Sequence, residues 1–74
     1  MTKFADMSNG SRNGWLLWAN SHDWGQSKPA QFYTAMDDKV YIVVESAVHV
    51  PEIGWTIEQA MHETPGELRA WAGY

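Results

Sequence analysis

The residues able to carry acid–base, nucleophilic or metal chemistry are few in this chain and widely spaced. The three histidines, His22, His49 and His62, lack the short helical spacing at which two imidazoles converge on a zinc ion. Cysteine is absent, so the chain has no thiolate and no disulfide. No Gly-x-Ser-x-Gly elbow presents a serine nucleophile, and no glycine-rich loop is built to hold a phosphate. The sequence therefore predicts no enzyme, no metal and no cofactor.

Carboxylates are concentrated in the second part of the chain. The net charge is −4, and seven of the nine acidic residues lie at or beyond Asp37. This balance disfavours contact with a phosphate backbone, which needs basic residues, and it suits docking onto a basic protein surface. Ordinary solubility explains the same net charge. The acidic residues predicted to contact a partner are Asp37, Asp38, Glu45 and Glu52.

Five tryptophans in 74 residues are the most unusual feature of the composition. Tryptophan anchors protein–protein interfaces and also fills the cores of small domains, so both roles stay open for each of them. The residues predicted to anchor a partner are Trp15, Trp18 and Trp24. Together with Tyr33 they would also suit stacking on nucleic-acid bases. The five basic residues are scattered, however, and do not form the basic groove that this mode requires.

The patterning predicts one small α+β domain over residues 1–74, in which short helices pack on an antiparallel sheet of two or three strands. Residues 1–13 are polar and rich in glycine, serine and asparagine, and we expect a loose N-terminal arm there. Residues 14–24 contain a continuous apolar run. This run fits a short helix capped by Asn13 and stopped at Gly25, or else a buried strand.

The strongest strand signal is the β-branched and aromatic stretch at residues 40–50. Its apolar residues share one face under strict alternation, so we expect that face to be buried. Ser46 interrupts the apolar face and predicts a bulge or a break into two strands. Pro51 should end the strand, because proline cannot donate a hydrogen bond to the ladder.

Residues 31–36 should pair with this strand as a β-hairpin. Two loop lengths are possible, and they differ in the side chains that they place opposite each other. A two-residue loop places Met36 opposite Lys39, whereas a three-residue loop at residues 37–39 places Met36 opposite Val40 and Phe32 opposite Val44. The three-residue loop is therefore predicted, because it gives one coherent apolar face.

Two short helices are predicted near the C-terminus. Thr56 and Gln59 have the spacing of a capping box. Thr64 and Glu67 repeat it, with Pro65 at the first helical position, where its missing N–H costs nothing. The predicted core joins the sheet to these helices and consists of Phe32, Met36, Val40, Ile42, Val44, Val48, Val50, Ile57, Met61, Leu68 and Trp71.

The stretch at residues 54–60, Gly-Trp-Thr-Ile-Glu-Gln-Ala, resembles the Gly-x-Thr-x-Glu-Glu-Ala helix start that follows a β-hairpin in HicB-type antitoxins. The Pro-Asp-Leu-Pro-Gly-Cys loop of that family is replaced here by His-Val-Pro-Glu-Ile at residues 49–53. The resemblance implies an antitoxin-like, nucleic-acid-associated regulator. Such a regulator would dimerise through an exposed edge strand.

The combination of surplus tryptophans, an acidic second half and no catalytic motif favours a stoichiometric protein-binding module. Small acidic chains without cysteine are typical of phage or mobile-element inhibitors of host defence, of the anti-CRISPR or anti-restriction type. Such a module would block a nucleic-acid-binding or assembly surface of a basic protein, with no direct contact to nucleic acid or membrane. A homodimer and the antitoxin-like regulator are alternatives, and a small enzyme is the third. The N-terminus lacks the apolar segment of a signal peptide, so a cytoplasmic location is expected.

Overall fold

The computed structural model of the chain describes residues 2–74 and shows a small α+β fold with a three-stranded antiparallel sheet in the order β1-β2-β3. The predicted fold class is confirmed. The helices pack on one face of the sheet, and no helix of residues 2–74 packs on the other. The elements are a 3₁₀ turn at Phe4–Asp6, α1 at Asn9–Asn20, β1 at Gln31–Thr34, β2 at Val40–Val50, β3 at Gly54–His62 and α2 at Pro65–Ala72.

The hairpin of β1 and β2 forms as expected, but its register differs by two residues from the predicted one. Phe32 lies opposite Ile42, not Val44. A shift of two residues keeps every side chain on its predicted face. Met36 does not pair with Val40 and instead projects from the loop, fully exposed.

The reason for the shift is the backbone of the hairpin loop. Ala35 N–H donates to Lys39 O at 2.8 Å and Asp38 N–H donates to Ala35 O at 3.2 Å, so the three loop residues are 36–38. The third of them must adopt a left-handed conformation, and Asp38 does so with φ 64°. Aspartate tolerates this conformation better than the lysine that the predicted loop placed there.

Strands β2 and β3 form an unbroken ladder of nine residue pairs, from Ile42 opposite His62 to Val50 opposite Gly54. Ser46 pairs normally with Glu58, so the predicted bulge or break is wrong. Pro51 follows the last residue of β2, as predicted.

Strand β3 occupies residues for which the sequence predicts a helix. The capping-box spacing of Thr56 and Gln59 is a local signal worth about 1 kcal/mol, whereas the ladder to β2 supplies backbone partners along the whole segment. Trp55, Thr56 and Ile57 also favour a strand over a helix. One of the two predicted C-terminal helices is therefore absent, together with the helix start that resembled HicB-type antitoxins.

The other predicted C-terminal helix, α2, is confirmed with its caps. Thr64 Oγ1 accepts a hydrogen bond from Glu67 N–H at 3.1 Å, and Pro65 is the first helical residue. Gly73 ends the helix with φ 96°, a conformation that glycine adopts without strain.

Helix α1 confirms the helical alternative for residues 14–24 but not its bounds. It begins at Asn9, where Ser8 Oγ accepts a hydrogen bond from Ser11 N–H at 3.2 Å, and it ends at Asn20. Ser8 therefore takes the capping role assigned to Asn13, and Gly25 lies beyond the helix.

The loose arm predicted for residues 1–13 is not found in the described part of that segment, residues 2–13; residue 1 lies outside the described residues. Phe4 is completely buried, and its N–H donates to Glu63 O at 3.0 Å. The Arg12 side chain donates to the carbonyls of Phe4 and Ala5 at 2.8 and 3.1 Å. Burial of an aromatic ring against distant parts of the chain has no local signature, and composition alone therefore missed it.

The core lies between the helices and the inner face of the sheet. Several predicted core residues are confirmed in it, and Met36, Ile57 and Met61 are wrong because they are exposed. Val48 and Val50 are half-buried near the β2–β3 turn. The buried residues of the core are Phe4, Ala19, Val40, Ile42, Val44 and Leu68, with Phe32 and Trp71 packed against them.

Candidate functional site

The sheet face that carries no helices brings together five large side chains from all three strands. Alternation places odd-numbered residues on this face, since the even-numbered Val40, Ile42 and Val44 point into the core. The register sets Tyr33 directly opposite Tyr41 on one side of β2 and Val43 opposite Met61 on the other. We call Tyr33, Tyr41, Val43, Ile57 and Met61 the open face.

The open face is exposed in a way that is uncommon for apolar side chains of a monomer. Tyr33 is 52% exposed, and Ile57 and Met61 are 43% and 44% exposed. A shallow depression of about 630 Å³ lies across the three strands and is lined by Gln31, Phe32, Tyr33, Val43, Gln59 and Met61. Contiguous exposed apolar surface of this kind marks sites of interaction.

Trp55 extends the open face toward the β2–β3 turn. It is 73% exposed, and its ring meets the ring of the cross-strand residue His49 edge-on at 5.3 Å between centroids. The ring therefore has one partner on the protein and one side directed to solvent. Exposed tryptophan with an apolar neighbourhood is the side chain most enriched at interface hot spots.

Charge is nearly absent from the open face. Besides the two tyrosines, the only ionisable side chains among the odd-numbered strand residues are Glu45 and His49. The Glu45 carboxylate accepts hydrogen bonds from Ser27 N–H, Ser27 Oγ and Lys28 N–H at 3.1, 2.8 and 3.1 Å. These bonds, led by that of the Ser27 hydroxyl, lower the pKa of Glu45. Its Oε1 is thus already engaged in holding the segment after α1.

The acidic residues predicted to bind a partner are not brought together. Asp37 and Asp38 lie in the β1–β2 loop, and Glu52 lies in the turn at the other end of β2. At about 3.3 Å per residue the length of β2 separates these two ends by ~33 Å. Glu45 lies midway and is hydrogen-bonded to the backbone. The four carboxylates therefore form no single patch.

The tryptophans predicted as anchors, Trp15, Trp18 and Trp24, are half-buried and pack against the core. Trp18 meets Trp15 and Trp24 at centroid distances of 5.5 and 6.5 Å. Trp24 meets Trp71 edge-on at 4.9 Å. These rings join α1 to α2 on the helical side of the sheet, away from the open face.

His22 is held inside this aromatic cluster. Its ring is stacked on Trp24 at 4.9 Å with an interplanar angle of 17° and lies 4.4 Å from Trp18. Nδ1 is 2.7 Å from Trp18 O and Nε2 is 2.8 Å from Tyr74 Oη. A neutral imidazole satisfies both contacts by donating from Nδ1 and accepting at Nε2. The contacts connect the end of α1 to the C-terminal residue.

His62 is a half-buried histidine at the end of β3. It lies beside Ile42 on the inner side of the sheet, where Nε2 has no hydrogen-bond partner within the described residues. Burial lowers the pKa of His62, and the charge of nearby Glu67 opposes that effect.

Within residues 2–74 no three His, Asp or Glu side chains lie close enough to hold a metal ion. No described helix is long and apolar enough to cross a membrane.

Sequence reasoning missed Ile57 and Met61 as surface residues because it assigned them to a helix, and it gave no role to Trp55, which precedes that helix. The signal that would have found them is the alternation that places large side chains at residues 55, 57 and 61, next to a strand predicted from its β-branched residues. Tyr33 was noted only as a base-stacking residue. No family model, curated protein or solved structure matches the chain.

Proposed function

We propose that this protein is a small protein-binding module that acts by occupying a surface of its partner, with the open face as the contact surface. The observation that supports the proposal is the exposure of Tyr33, Ile57 and Met61 on one nearly uncharged face. Tyrosine and methionine are enriched at protein interfaces, and charged residues are depleted at interface centres. That the protein is not an enzyme stays a prediction.

A finer proposal is that the partner is a basic, nucleic-acid-binding component of a host defence system, which the module inhibits. It is supported by the net charge of −4 and by the carboxylates that flank the open face. Because Asp37 and Glu52 lie at opposite ends of a molecule 41 Å long, they would contact the rim of such a partner separately. Rim charges mainly raise the association rate and its sensitivity to salt.

The test is capture of a partner from the native lysate by tagged protein, with and without nuclease, compared across two matched variants. Tyr33→Asp places a charge on the open face and should abolish capture. Leu17→Asp places the same charge on α1, where Leu17 is 73% exposed, and should leave capture unchanged. Equal loss in both variants, or in neither, would refute the open face as the contact surface. Circular dichroism checks that both variants fold.

A second candidate is the nucleic-acid-associated regulator, and the cross-strand pair of Tyr33 and Tyr41 favours it. Exposed aromatic pairs on a β-sheet stack the bases of single-stranded RNA. The acidic net charge opposes this mode. A gel shift with generic single-stranded RNA discriminates between the candidates: binding that weakens steeply with salt and is lost in Tyr33→Ser supports the regulator, and absence of binding supports the protein-binding module.

A further inference from the structure

The outer edge of β3 carries a row of backbone groups with no hydrogen-bond partner among residues 2–74. Ala35 N–H donates to Lys39 O, so odd-numbered residues of this part of the sheet make the bonds between β1 and β2. Even-numbered residues of β2 must then bond β3, and the N–H and C=O groups of Trp55, Ile57, Gln59 and Met61 point outward. None of the hydrogen bonds made by residues 2–74 reaches these groups.

Strand β3 also lacks the features that protect an edge from pairing. Edge strands are blunted by shortness, proline, lysine, bulges or a covering segment. β3 has nine residues and no proline, lysine or arginine, its one carboxylate is Glu58, and its ladder to β2 has no bulge. The N-terminal segment covers only its end, where Phe4 N–H donates to Glu63 O.

The side chains of β3 are self-complementary about Gln59. A two-fold axis at Gln59 sets Ile57 opposite Met61 of a second copy, and the reverse, with the two Gln59 residues opposite each other. The single carboxylate, Glu58, then faces Ala60 of the second copy. Apolar residues thus meet apolar residues, and no like charges lie directly opposite.

Neighbouring registers fit less well. An axis at Glu58 places two carboxylates directly opposite each other, which is destabilising. An axis at Ala60 sets Ile57 opposite Glu63, whose carbonyl already accepts from Phe4. The Gln59 axis sets only Trp55 opposite Glu63 and leaves residues 57–61 free to pair. An axis at Ile57 leaves Met61 opposite the β2–β3 turn, outside the ladder. Of these registers, only the Gln59 axis sets Ile57 opposite Met61 and keeps the two Glu58 carboxylates apart.

We infer that the protein forms a symmetric dimer in which the β3 edges of two copies pair antiparallel about Gln59, giving one continuous six-stranded sheet. The two open faces then lie side by side on one surface of the dimer, because Ile57 and Met61 belong both to the open face and to the paired β3 edge. The dimer forms without any other partner. Only the consequence that it presents a doubled binding surface rests on the proposed function.

Sedimentation equilibrium of the purified protein, over concentrations up to the millimolar range, tests the dimer directly. The wild-type chain should dimerise reversibly. Gln59→Lys and Gln59→Glu should each be monomeric, because the axis sets each introduced charge against its own copy. An equimolar mixture of the two variants should restore the dimer, since lysine then faces glutamate. A monomeric wild type overturns the inference, as does a Gln59→Lys variant that still dimerises.

Disulfide trapping tests the register, and the absence of native cysteine makes each single-cysteine variant unambiguous. Gln59→Cys should form a disulfide-linked dimer on mild oxidation, because the two positions face each other across the axis within disulfide reach. Ile57→Cys is the matched control and should not, since it faces position 61 of the second copy. Cross-linking of the control but not of Gln59→Cys overturns the Gln59 register. The dimer and the proposed function can fail separately, because Tyr33 lies on β1, away from the paired β3 edges. Tyr33→Asp should abolish partner capture and leave the dimer intact.

Discussion

At the scale of single residues, the tryptophans divide into two groups that composition does not distinguish. Four of them, Trp15, Trp18, Trp24 and Trp71, are half-buried and packed against the core, whereas Trp55 is exposed on the open face. Burial of large aromatic rings stabilises so small a domain, and the exposed ring is free to meet a partner.

The exposure of the Trp55 ring leads to a prediction for fluorescence quenching. At dilute protein concentration, Trp55→Phe should remove most of the fluorescence that iodide can quench, because iodide reaches only solvent-exposed rings. Trp24→Phe, the control, should leave the quenchable fraction nearly unchanged and should lower the thermal midpoint, since Trp24 packs on Trp71 at 4.9 Å. An unchanged quenchable fraction in Trp55→Phe would contradict the assignment of Trp55 to the surface.

His62 should make stability depend on pH. Burial lowers its pKa in the folded chain below the ordinary value of 6.5, so the unfolded chain takes up a proton first as the pH falls. The unfolding free energy is therefore highest above pH 6.5 and declines as the pH drops through that value toward the folded pKa. Thermal midpoints measured between about pH 8 and pH 5 should fall less in His62→Gln than in the wild type. His49→Gln, at an exposed position, should retain the wild-type slope; equal slopes in all three proteins would exclude His62 as the cause.

At the scale of elements, the segment after α1 is fixed to β2 by backbone contacts. Trp24 O accepts the N–H of Ala47, and Glu45 accepts from Ser27 and Lys28. Gly25 makes the close approach possible: its φ is 73°, and a Cβ added there would lie 2.6 Å from the Cβ of Ala47. The segment thus covers the edge of β2 that extends past the end of β1.

Two glycines should respond in opposite directions to alanine. Gly25→Ala should lower the unfolding free energy by at least the ~1–2 kcal/mol cost of a left-handed alanine, with the steric clash in addition. Gly14→Ala should raise it by about 0.8–1 kcal/mol, because Gly14 lies within α1 with nothing near its added methyl group. Urea unfolding monitored by circular dichroism measures both. A neutral Gly25→Ala would mean that the segment does not contact Ala47.

Elements with consistent local signals are predictable from the sequence, and elements fixed by distant contacts are not. β2 is found because alternation and β-branched residues agree, and α2 because its caps at Thr64 and Gly73 agree with its apolar spacing. β3 is missed because the spacing of Ile57, Ala60 and Met61 fits a helix as well as a strand, and only pairing with β2 decides. The open face is missed with it, because only the pairing with β2 shows which residues of β3 lie on that face.

At the scale of the whole molecule, the two ends of the chain complete one core. Phe4 is buried beside Ile42 and Leu68 in the same cluster, and its ring meets Phe32 edge-on at 5.3 Å. The N-terminal segment is therefore a structural part of the domain. A chain of 74 residues has a total stability of only about 4–11 kcal/mol, so the loss of a single large core residue is a large fraction of it.

Phe4→Ala should lower the unfolding free energy by about 3–5 kcal/mol, because it removes a fully buried aromatic ring. Leu17→Ala, on the exposed side of α1, should change it by no more than about 0.5 kcal/mol. Urea unfolding gives both values. A Phe4→Ala variant as stable as Leu17→Ala would restore the loose-arm interpretation of the N-terminus.

The hydrogen bond from Phe4 N–H to Glu63 O has a consequence for synthesis on the ribosome. Glu63 is added roughly 60 residues after Phe4, which takes ~3–12 s at the usual rate of about 5–20 residues per second. Leu68, which shares the core with Phe4, is added later still. During that interval Phe4 and the inner face of β2 have no complete core to enter. This core therefore forms only after Leu68 has been added, and the segment made before it remains a substrate for chaperones until then.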